Sequence, residues 1–384
     1  MRAANIRAAN GRGEWRWALL IGVCIAIVAL AATLGAPVPI SDLWSHDPLR
    51  VDVARHIFWR AGDQWGLRPT RVVAGLLVGA CLAASGAALQ AVFRNPLAEP
   101  YLLGTSAGGA LGATLGLALQ SRAALVTASL AATATTTTNA TALNATAINA
   151  TVQDSLGGAF VGAFDLPSAL AFCGSLAATV LVYALGQRRV STHAGGGFDR
   201  ASLLLSGVAI SSFLSALMSL IVALFNRSDI ARQVMFWLLG GLTNVSPAQN
   251  ILLLVSLCIG LPILCLSARD LNALRLGDEE ARALGVSVGA LHRRLLVVAA
   301  LMSSAAVASA GLIGFVGLLA PHLLRNLFGQ DARALAPASA LGGAALLVGC
   351  DAVARSVARP QELPVGIITA LLGVPLFLAL ARKS

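Results

Sequence analysis

The side chains that could carry chemistry in this 384-residue chain are few and scattered. No histidine belongs to a HExxH-type metal motif; the five histidines are His46, His56, His193, His292 and His322. The cysteines lie inside apolar stretches without CxxC spacing, so we interpret them as small core residues rather than metal ligands or disulfides. They are Cys24, Cys81, Cys173, Cys258, Cys265 and Cys350. The sequence therefore predicts no catalytic residue, no metal site and no bound cofactor.

Nucleotide hydrolysis at a P-loop is excluded by the pattern of basic residues. A P-loop requires the pattern GxxxxGK[ST]. The chain has a single lysine, Lys383, and the residue before it is Arg382 rather than glycine. We therefore predict that the chain is not an enzyme. The formal net charge of +10 does not indicate nucleic-acid binding, because the arginines stand at the ends of apolar segments, where they act as topology signals and contact lipid headgroups.

Several arginines stand at segment boundaries that should face outward, where basic residues are usually sparse. They are Arg68, Arg71, Arg355 and Arg359. Fixed positive charges in this position suit the capture of an acidic partner, because long-range attraction speeds encounter. An equal alternative is that these arginines only anchor the ends of the helices, with their side chains reaching to the membrane interface. Asp351, an acid inside an apolar segment, is either functional or paired with Arg355 one turn later.

The most hydrophilic stretch of the chain is residues 269–294. Within it, residues 276–285 have the pattern of a short helix, with acids in the first turn and a glycine near each end. These ten residues are Leu276, Gly277, Asp278, Glu279, Glu280, Ala281, Arg282, Ala283, Leu284 and Gly285. A helix in a loop of a membrane protein is typical of a docking site for another protein. The alternative is a solvated connector.

A shorter connection, Arg94–Pro100, contains two prolines that impose a tight reversal. On the cytoplasmic side such a polar turn could line the inner end of a pore. A plain turn between two helices explains the same residues equally well.

The elements that must position these residues are membrane spans. Hydrophobic residues make up 57% of the chain and charged residues 11%, against about 25% charged in an ordinary soluble domain. Long uncharged stretches recur along the chain, so the sequence predicts an all-α membrane protein with many spanning helices. The predicted spans are residues 17–36, 72–93, 101–120, 166–187, 201–226, 248–268, 295–324, 334–354 and 363–381.

The stretch 295–324 is long for one crossing and short for two. Gly311, Gly314 and Gly317, followed by Pro321, indicate that it breaks in its middle, which gives ten spans instead of nine. Ten spans with the N-terminus inside also place more of the basic residues on the cytoplasmic side. We therefore predict a polytopic bundle of about ten transmembrane helices, with both termini cytoplasmic.

The expected domain layout is simple. Residues 1–16 form a cytoplasmic tail, and residues 17–381 form the transmembrane domain. Residues 121–160 are an external loop insertion of low complexity, rich in alanine and threonine. Residues 269–294 are a cytoplasmic loop.

Ordered motifs along the chain resemble those of the FecCD/BtuC permeases, the membrane subunits of type II ABC importers for iron-siderophores, haem and cobalamin. The motifs extend over nearly all of residues 17–381 apart from the insertion. They are Arg68–Arg71, Gly75–Ala80, Ser85–Gln90, Asn95–Pro100, Leu203–Ala209, Trp237–Gly241, Leu276–Gly285, Gly311–Leu318, Pro321–His322 and Glu362–Gly366. The first motif reads Arg-Pro-Thr-Arg and departs from the family's usual Arg-Leu-Pro-Arg by a shift of the proline.

This resemblance implies a BtuC-like subunit of ten helices that forms a homodimer with the pore at its interface. Two separate cytoplasmic ATP-binding subunits and one periplasmic substrate-binding protein are the implied partners, besides membrane lipid. Residue by residue, it implies that 276–285 contact the ATPase and that Asn95 and Leu97 form the inner gate.

The resemblance also implies that Arg68, Arg71 and Arg355 pair with acidic groups on the two lobes of the binding protein. Transport then proceeds by alternating access across the bacterial inner membrane. We expect the substrate to be an iron(III) chelate, either a siderophore or haem, because these are the commonest substrates of the family; cobalamin is the alternative. The competing class is an ion-coupled secondary transporter, which places acids or broken helices near the membrane midplane.

Overall fold

The computed structural model describes residues 2–33, 67–135, 165–190, 200–225, 228–243, 245–358 and 362–381. Within these ranges the chain forms thirteen α-helices and no strand. The first seven are α1 (Arg2–Thr33), α2 (Leu67–Phe93), α3 (Thr105–Thr135), α4 (Leu166–Val190), α5 (Arg200–Phe225), α6 (Ser228–Leu239) and α7 (Pro247–Leu266). The others are α8 (Ala268–Leu274), α9 (Asp278–Ala283), α10 (Val288–Ala310), α11 (Val316–Phe328), α12 (Ala332–Val357) and α13 (Val365–Ala381). The prediction of an all-α membrane protein is confirmed.

Seven of these helices are long and apolar enough to cross a membrane, and α6 and α13 are shorter apolar helices. The seven are α1, α2, α4, α5, α7, α10 and α12. The predicted break in 295–324 is confirmed, because α10 ends at Ala310 and α11 begins at Val316.

Two helices extend furthest beyond their predicted limits. The helix α1 begins at Arg2, so most of the predicted tail continues the first span, and α3 continues to Thr135 into the predicted insertion. Both extensions are rich in alanine, which has the highest intrinsic helix propensity. The remainder of the insertion, 136–160, lies outside the described residues.

The core forms where α2 packs against α10, α11 and α12 with small residues at the contacts. A Cβ atom added at Gly79 of α2 would collide with the backbone of Gly343 on α12, and one at Gly86 would collide with the backbone of Gly317 on α11. Such close approach of backbones is the usual way in which helices associate in lipid. The glycines of α2 therefore set the distances between the central helices.

Two helix breaks meet in the interior of the bundle. A 3-10 turn at Pro100–Leu103 precedes α3, and its Tyr101 hydroxyl donates to the carbonyl of Ile313 (2.9 Å) and accepts from the Ile313 N–H (3.0 Å). The Glu99 carboxylate accepts from the N–H of Phe315 at 2.6 Å. Phe315 has φ 69°, a left-handed conformation that is unusual for a bulky residue. The contacts from Glu99 and Tyr101 hold the 311–315 connection in place.

A third break, between α6 and α7, joins the same interior region. The N–H of Gly241 donates to the carbonyl of Ala310 (2.9 Å), and the N–H of Gly366 lies 3.4 Å from the carbonyl of Gly240. Gly240 and Gly311 both have positive φ, at 67° and 69°. The chain can turn at these two points because glycine lacks a Cβ atom.

The bundle has two ends, which we name by their residues. The α9 end contains α8, α9 and the connection from Arg94 to Glu99. The Arg71 end contains the start of α2 and the end of α12. Between them, α5 is the span least covered by the rest of the described chain, with none of its apolar window buried.

Candidate functional site

The segment 276–285 folds as predicted, with α9 at its centre. Ala281 is fully buried, whereas Leu276 and Leu284 are 69% and 64% exposed. The Gly285 N–H donates to the Arg282 carbonyl and the Val286 N–H to the Ala281 carbonyl, which closes the helix, and Gly285 has φ 83°. One face of α9 is therefore anchored, and the leucines and acids on the other face are exposed.

Asp278, at the start of α9, joins three parts of the α9 end. One of its carboxylate oxygens lies 2.6 Å from the Arg94 guanidinium, directly after α2. Arg200, the first residue of α5, donates to both carboxylate oxygens at 2.8 and 2.9 Å. Charge-assisted bonds of this geometry are about twice as strong as neutral ones. These bonds connect α9 to the end of α2 and to the start of α5.

The two arginines are also bound to the backbone, which fixes their positions. Arg94 donates to the carbonyl of Leu274 at 2.7 Å, and Arg200 donates to the carbonyl of Val92 at 2.9 Å. Arg94 itself has φ 49°, so it is the residue at which the chain turns out of α2. The cluster of Arg94, Arg200 and Asp278 is called the joint below.

The predicted gate residues follow the joint directly. The Asn95 side-chain oxygen accepts from the Leu97 N–H at 2.9 Å, which forms an Asx-type turn. The Ala98 N–H closes the same turn on the Asn95 carbonyl at 3.1 Å. Asn95 is exposed and Leu97 is half-buried. The turn is thus rigid in itself and is attached to α9 through Arg94.

A second charged cluster lies at the Arg71 end. The Arg71 guanidinium lies 2.8 Å from Asp351 and 2.6 Å from Glu362, and Arg355 lies 2.9 Å from Asp351. The predicted pairing of Asp351 with Arg355 is confirmed. Arg355 is buried and also donates to the Ala31 carbonyl at 3.0 Å, so its guanidinium faces α1 rather than an outside partner.

The remaining predicted docking residue, Arg68, lies in the first turn of α2, and its side chain is outside what the structure describes.

In the cluster around Arg71 two guanidiniums meet two carboxylates. The cluster is therefore electrically balanced and joins α2, α12 and the connection to α13. Glu362, with 44% of its side chain exposed, is the member most accessible to solvent.

The sequence did not reveal the joint, because its members are far apart along the chain. Arg94 and Asp278 are separated by 184 residues and Arg200 and Asp278 by 78. The acids of α9 suggested a docking helix, but nothing in their spacing identified Asp278 as the one that turns inward. Glu99 was likewise noted only as part of a turn. Its contact with Phe315 depends on a break more than two hundred residues later.

The arrangement defines a class of protein: a multi-pass helical membrane protein in which an exposed short helix, α9, is connected by ion pairs to the Asn95–Leu97 turn. The chain matches the FecCD transport family over residues 18–164 and 129–383. The chain therefore belongs to the FecCD transport family, as the motifs predicted.

Similar proteins are transport permeases. The cobalamin import system permease protein BtuC of Halobacterium salinarum is 39% identical over 82% of this chain and 72% of its own length. The hemin transport system permease protein HmuU of Yersinia pestis is 35% identical over 98% of both chains. A solved structure of a metal-chelate type ABC transporter in an inward-facing conformation has a TM-score of 0.69 and 27% identity, and covers 95% of this chain and 99% of its own.

Proposed function

We propose that this chain is the permease subunit of an ABC importer that moves an iron(III) chelate, a siderophore or haem, across the bacterial inner membrane by alternating access. A separate ATPase powers the cycle, and a periplasmic binding protein delivers the substrate. Identity of 35% to the Yersinia pestis hemin permease over nearly the whole of both chains supports an iron chelate. Cobalamin is the second candidate, supported by the 39% identity to the Halobacterium salinarum permease.

The α9 end faces the cytoplasm in this proposal. Ala31, near the end of α1, contacts Arg355 at the Arg71 end, so Arg2 begins α1 at the α9 end. Glu362 stands at the Arg71 end before α13, so α13 runs back toward the α9 end. Both ends of the described chain then lie on the side of α9, where Arg94, Arg200 and other basic residues satisfy the positive-inside rule.

The observation that carries the proposal is the joint. The two ATP-binding subunits dock one on each half of the transporter, on the exposed face of α9. Because Asp278 holds both Arg94 and Arg200, movement of α9 shifts the Asn95–Leu97 turn and the start of α5 together. The binding energy of ATP is thereby converted into opening and closing of the inner gate.

The proposed pore lies between two copies of the chain. The span α5 exposes a row of large apolar side chains on one face, including Phe213 at 64%, Leu220 at 52% and Leu224 at 74%. Isologous contact between two such faces is the commonest form of homodimer. Because apolar walls offer few strong contacts, a bulky chelate can leave the pore after it enters.

The binding protein docks on the Arg71 end. Arg68 and Arg71 are its proposed contacts, and Glu362 is the exposed partner that an incoming carboxylate would replace at Arg71. Arg355 contributes indirectly, because it holds Asp351 in place behind Arg71.

Co-purification from native membranes in mild detergent tests the docking of the ATPase. We expect a P-loop ATPase to accompany the wild-type chain, and Glu279→Arg with Glu280→Arg to reduce its recovery at least about tenfold through charge reversal at the contact. Glu14→Arg is the matched control, since Glu14 is exposed on α1 at the same end. Full recovery of the ATPase with the α9 variant, or none with the wild type after crosslinking, would contradict the proposal.

A further inference from the structure

A cavity of about 300 Å³ opens at the α9 end between α2, α8, α11 and α12. Three of the residues that line it are arginines, Arg94, Arg275 and Arg325, and none of the described residues in its wall is an aspartate or glutamate. Lining glutamines, Gln90 and Gln330, supply neutral oxygen atoms. The cavity is therefore a strongly basic site, and the transport cycle proposed above assigns it no role.

Within the described part of the chain, only one of the three arginines has its charge balanced. Arg94 pairs with Asp278 in the joint. Arg325 donates to the Gln90 side-chain oxygen at 2.9 Å, and Arg275 donates to the backbone and side-chain oxygens of Gln330. Among the described ion pairs, neither Arg275 nor Arg325 has a carboxylate partner.

Two further features mark the site as incomplete. The Nε atom of Arg325 is buried and has no hydrogen-bond partner within the described residues. The positive charge of Arg275 also acts unfavourably on that of Arg325. Asp331 attracts Arg275 from a longer distance, but its carboxylate already accepts from Asn272 at 2.7 Å. Arg325 has a buried donor without a partner, and the exposed Arg275 adds a like charge beside it, so the site favours an added anion.

The remaining wall of the cavity is apolar, with five alanines beside Pro96, Leu264, Leu271 and Leu335. It includes Ala87, Ala88 and Ala91 of α2 and Ala332, Leu335 and Ala336 of α12. Short side chains leave room beside the guanidiniums for a group larger than a water molecule. The site therefore combines the positively charged guanidiniums of Arg275 and Arg325 with an apolar surface.

We propose that this cavity binds a phosphate group of net negative charge, held by the guanidiniums of Arg275 and Arg325. Guanidinium forks match phosphate oxygens in geometry, and basic pockets between membrane helices on the cytoplasmic side suit acidic lipid headgroups. A phosphate oxygen accepts from the free Nε of Arg325 and separates the two like charges. The phosphate comes either from an anionic lipid or from inorganic phosphate in solution.

Binding to the delipidated full-length chain in neutral detergent distinguishes these sources. The probes are short-chain phosphatidylglycerol, phosphatidylcholine with the same acyl chains, and inorganic phosphate, measured by native mass spectrometry and by the shift in melting temperature. We expect phosphatidylglycerol to bind at least about tenfold more tightly than phosphatidylcholine, in which choline balances the phosphate charge. Binding of phosphatidylglycerol alone identifies a lipid headgroup, whereas equal binding of inorganic phosphate identifies the free anion.

Substitutions then locate the site. Arg275→Gln and Arg325→Gln should each weaken binding of the preferred probe at least about tenfold, the loss expected for a charge-assisted hydrogen bond. Arg333→Gln, an exposed arginine at the same end that does not line the cavity, should change binding less than about twofold. Without the probe, Arg275→Gln should melt at the wild-type temperature or above it, because a like-charge repulsion is removed and water can replace the guanidinium at the exposed Gln330.

Three outcomes would overturn this proposal. Phosphatidylcholine could bind as tightly as phosphatidylglycerol, or the Arg275 and Arg325 variants could bind like wild type. The Arg275→Gln chain could also unfold at a lower temperature without any probe, which would indicate a purely structural role. If neither phosphate probe binds but both arginines are needed to retain the ATPase, the cavity receives an acidic side chain of that partner instead.

Discussion

The carboxylate of Asp278 holds two guanidiniums that belong to different parts of the bundle, and it stands on the element proposed to contact the ATPase. Its side chain is 20% exposed and those of Arg94 and Arg200 are 32% and 26% exposed, so the cluster is partly screened by water. Its contribution to stability therefore lies between that of surface pairs and that of buried pairs, about 1–2 kcal/mol. The more important property of the cluster is that it connects α9 to the Asn95–Leu97 turn.

Replacement of Asp278 tests this connection. In the reconstituted transporter, Asp278→Asn should preserve ATP hydrolysis but lower substrate uptake about tenfold, because α9 still docks while Arg94 and Arg200 no longer follow it. Glu279→Gln, its exposed neighbour, is the control and should keep the ratio of uptake to hydrolysis near the wild-type value. Parallel loss of hydrolysis and uptake in Asp278→Asn would instead place the residue in the docking contact.

At the Arg71 end the decisive residue is Asp351, which is almost fully buried and pairs with both Arg71 and Arg355. Removal of one member from a buried ion pair typically costs about 3–5 kcal/mol, since the remaining charge stays in a poorly solvating environment. Asp351→Asn should therefore lower the melting temperature strongly, because the buried Arg355 guanidinium loses the Asp351 carboxylate.

Arg355→Leu should cost less, since Asp351 keeps its bond to Arg71. The double variant, Asp351→Asn with Arg355→Leu, should be more stable than the sum of the two single effects predicts. It removes the buried Arg355 guanidinium together with the Asp351 carboxylate, so that neither charge loses the other as a partner. Thermal unfolding in detergent measures all three chains. Strict additivity of the two effects would show that Asp351 and Arg355 do not stabilise one another.

At the scale of the elements, the fold depends on breaks as much as on spans. Gly240 and Gly311 turn the chain in left-handed conformations inside the bundle, next to each other's backbone. A Cβ atom at Gly240 would collide with the Leu312 carbonyl, whereas one at the adjacent Gly241 would meet nothing within 4 Å. These neighbours provide a matched pair of substitutions.

Gly240→Ala should reduce the yield of folded protein and its melting temperature, with a cost of at least about 1–3 kcal/mol from backbone strain and collision. Gly241→Ala should be tolerated. Size-exclusion profiles and thermal unfolding of the two detergent-solubilised chains provide the comparison. Equal behaviour of the two variants would mean that the α6–α7 connection does not need the conformation described.

The spans could be predicted because hydrophobic length is a local property of the sequence. The break after Ala310 could also be predicted, since Gly311, Gly314, Gly317 and Pro321 weaken a helix at that point. The extension of α1 back to Arg2 could not, because charge alone suggested a tail where alanine sustains a helix. Among the site residues, α9 was predicted from its acids and flanking glycines, but the partners of Asp278 depend on tertiary packing.

At the scale of the whole molecule, the exposed apolar face of α5 requires either lipid or a second copy. Cysteine crosslinking in native membranes distinguishes the two. In a background with the native cysteines replaced by alanine, Phe213→Cys or Leu220→Cys should give a covalent dimer with a short bifunctional reagent. Ile25→Cys on α1, which is equally exposed at 64%, should remain monomeric. Crosslinking only at Ile25 would place the dimer contact, and the pore, elsewhere.

The central claim is that the chain imports an iron chelate at the expense of ATP. Its most direct test is uptake of a radiolabelled ferric chelate into proteoliposomes that contain the chain with its co-purified ATPase and binding protein. We expect uptake that requires ATP, survives collapse of the ion gradients and is not competed by cobalamin. Uptake driven by an ion gradient without ATP would contradict the importer, and ATP-dependent uptake of cobalamin alone would contradict the iron assignment.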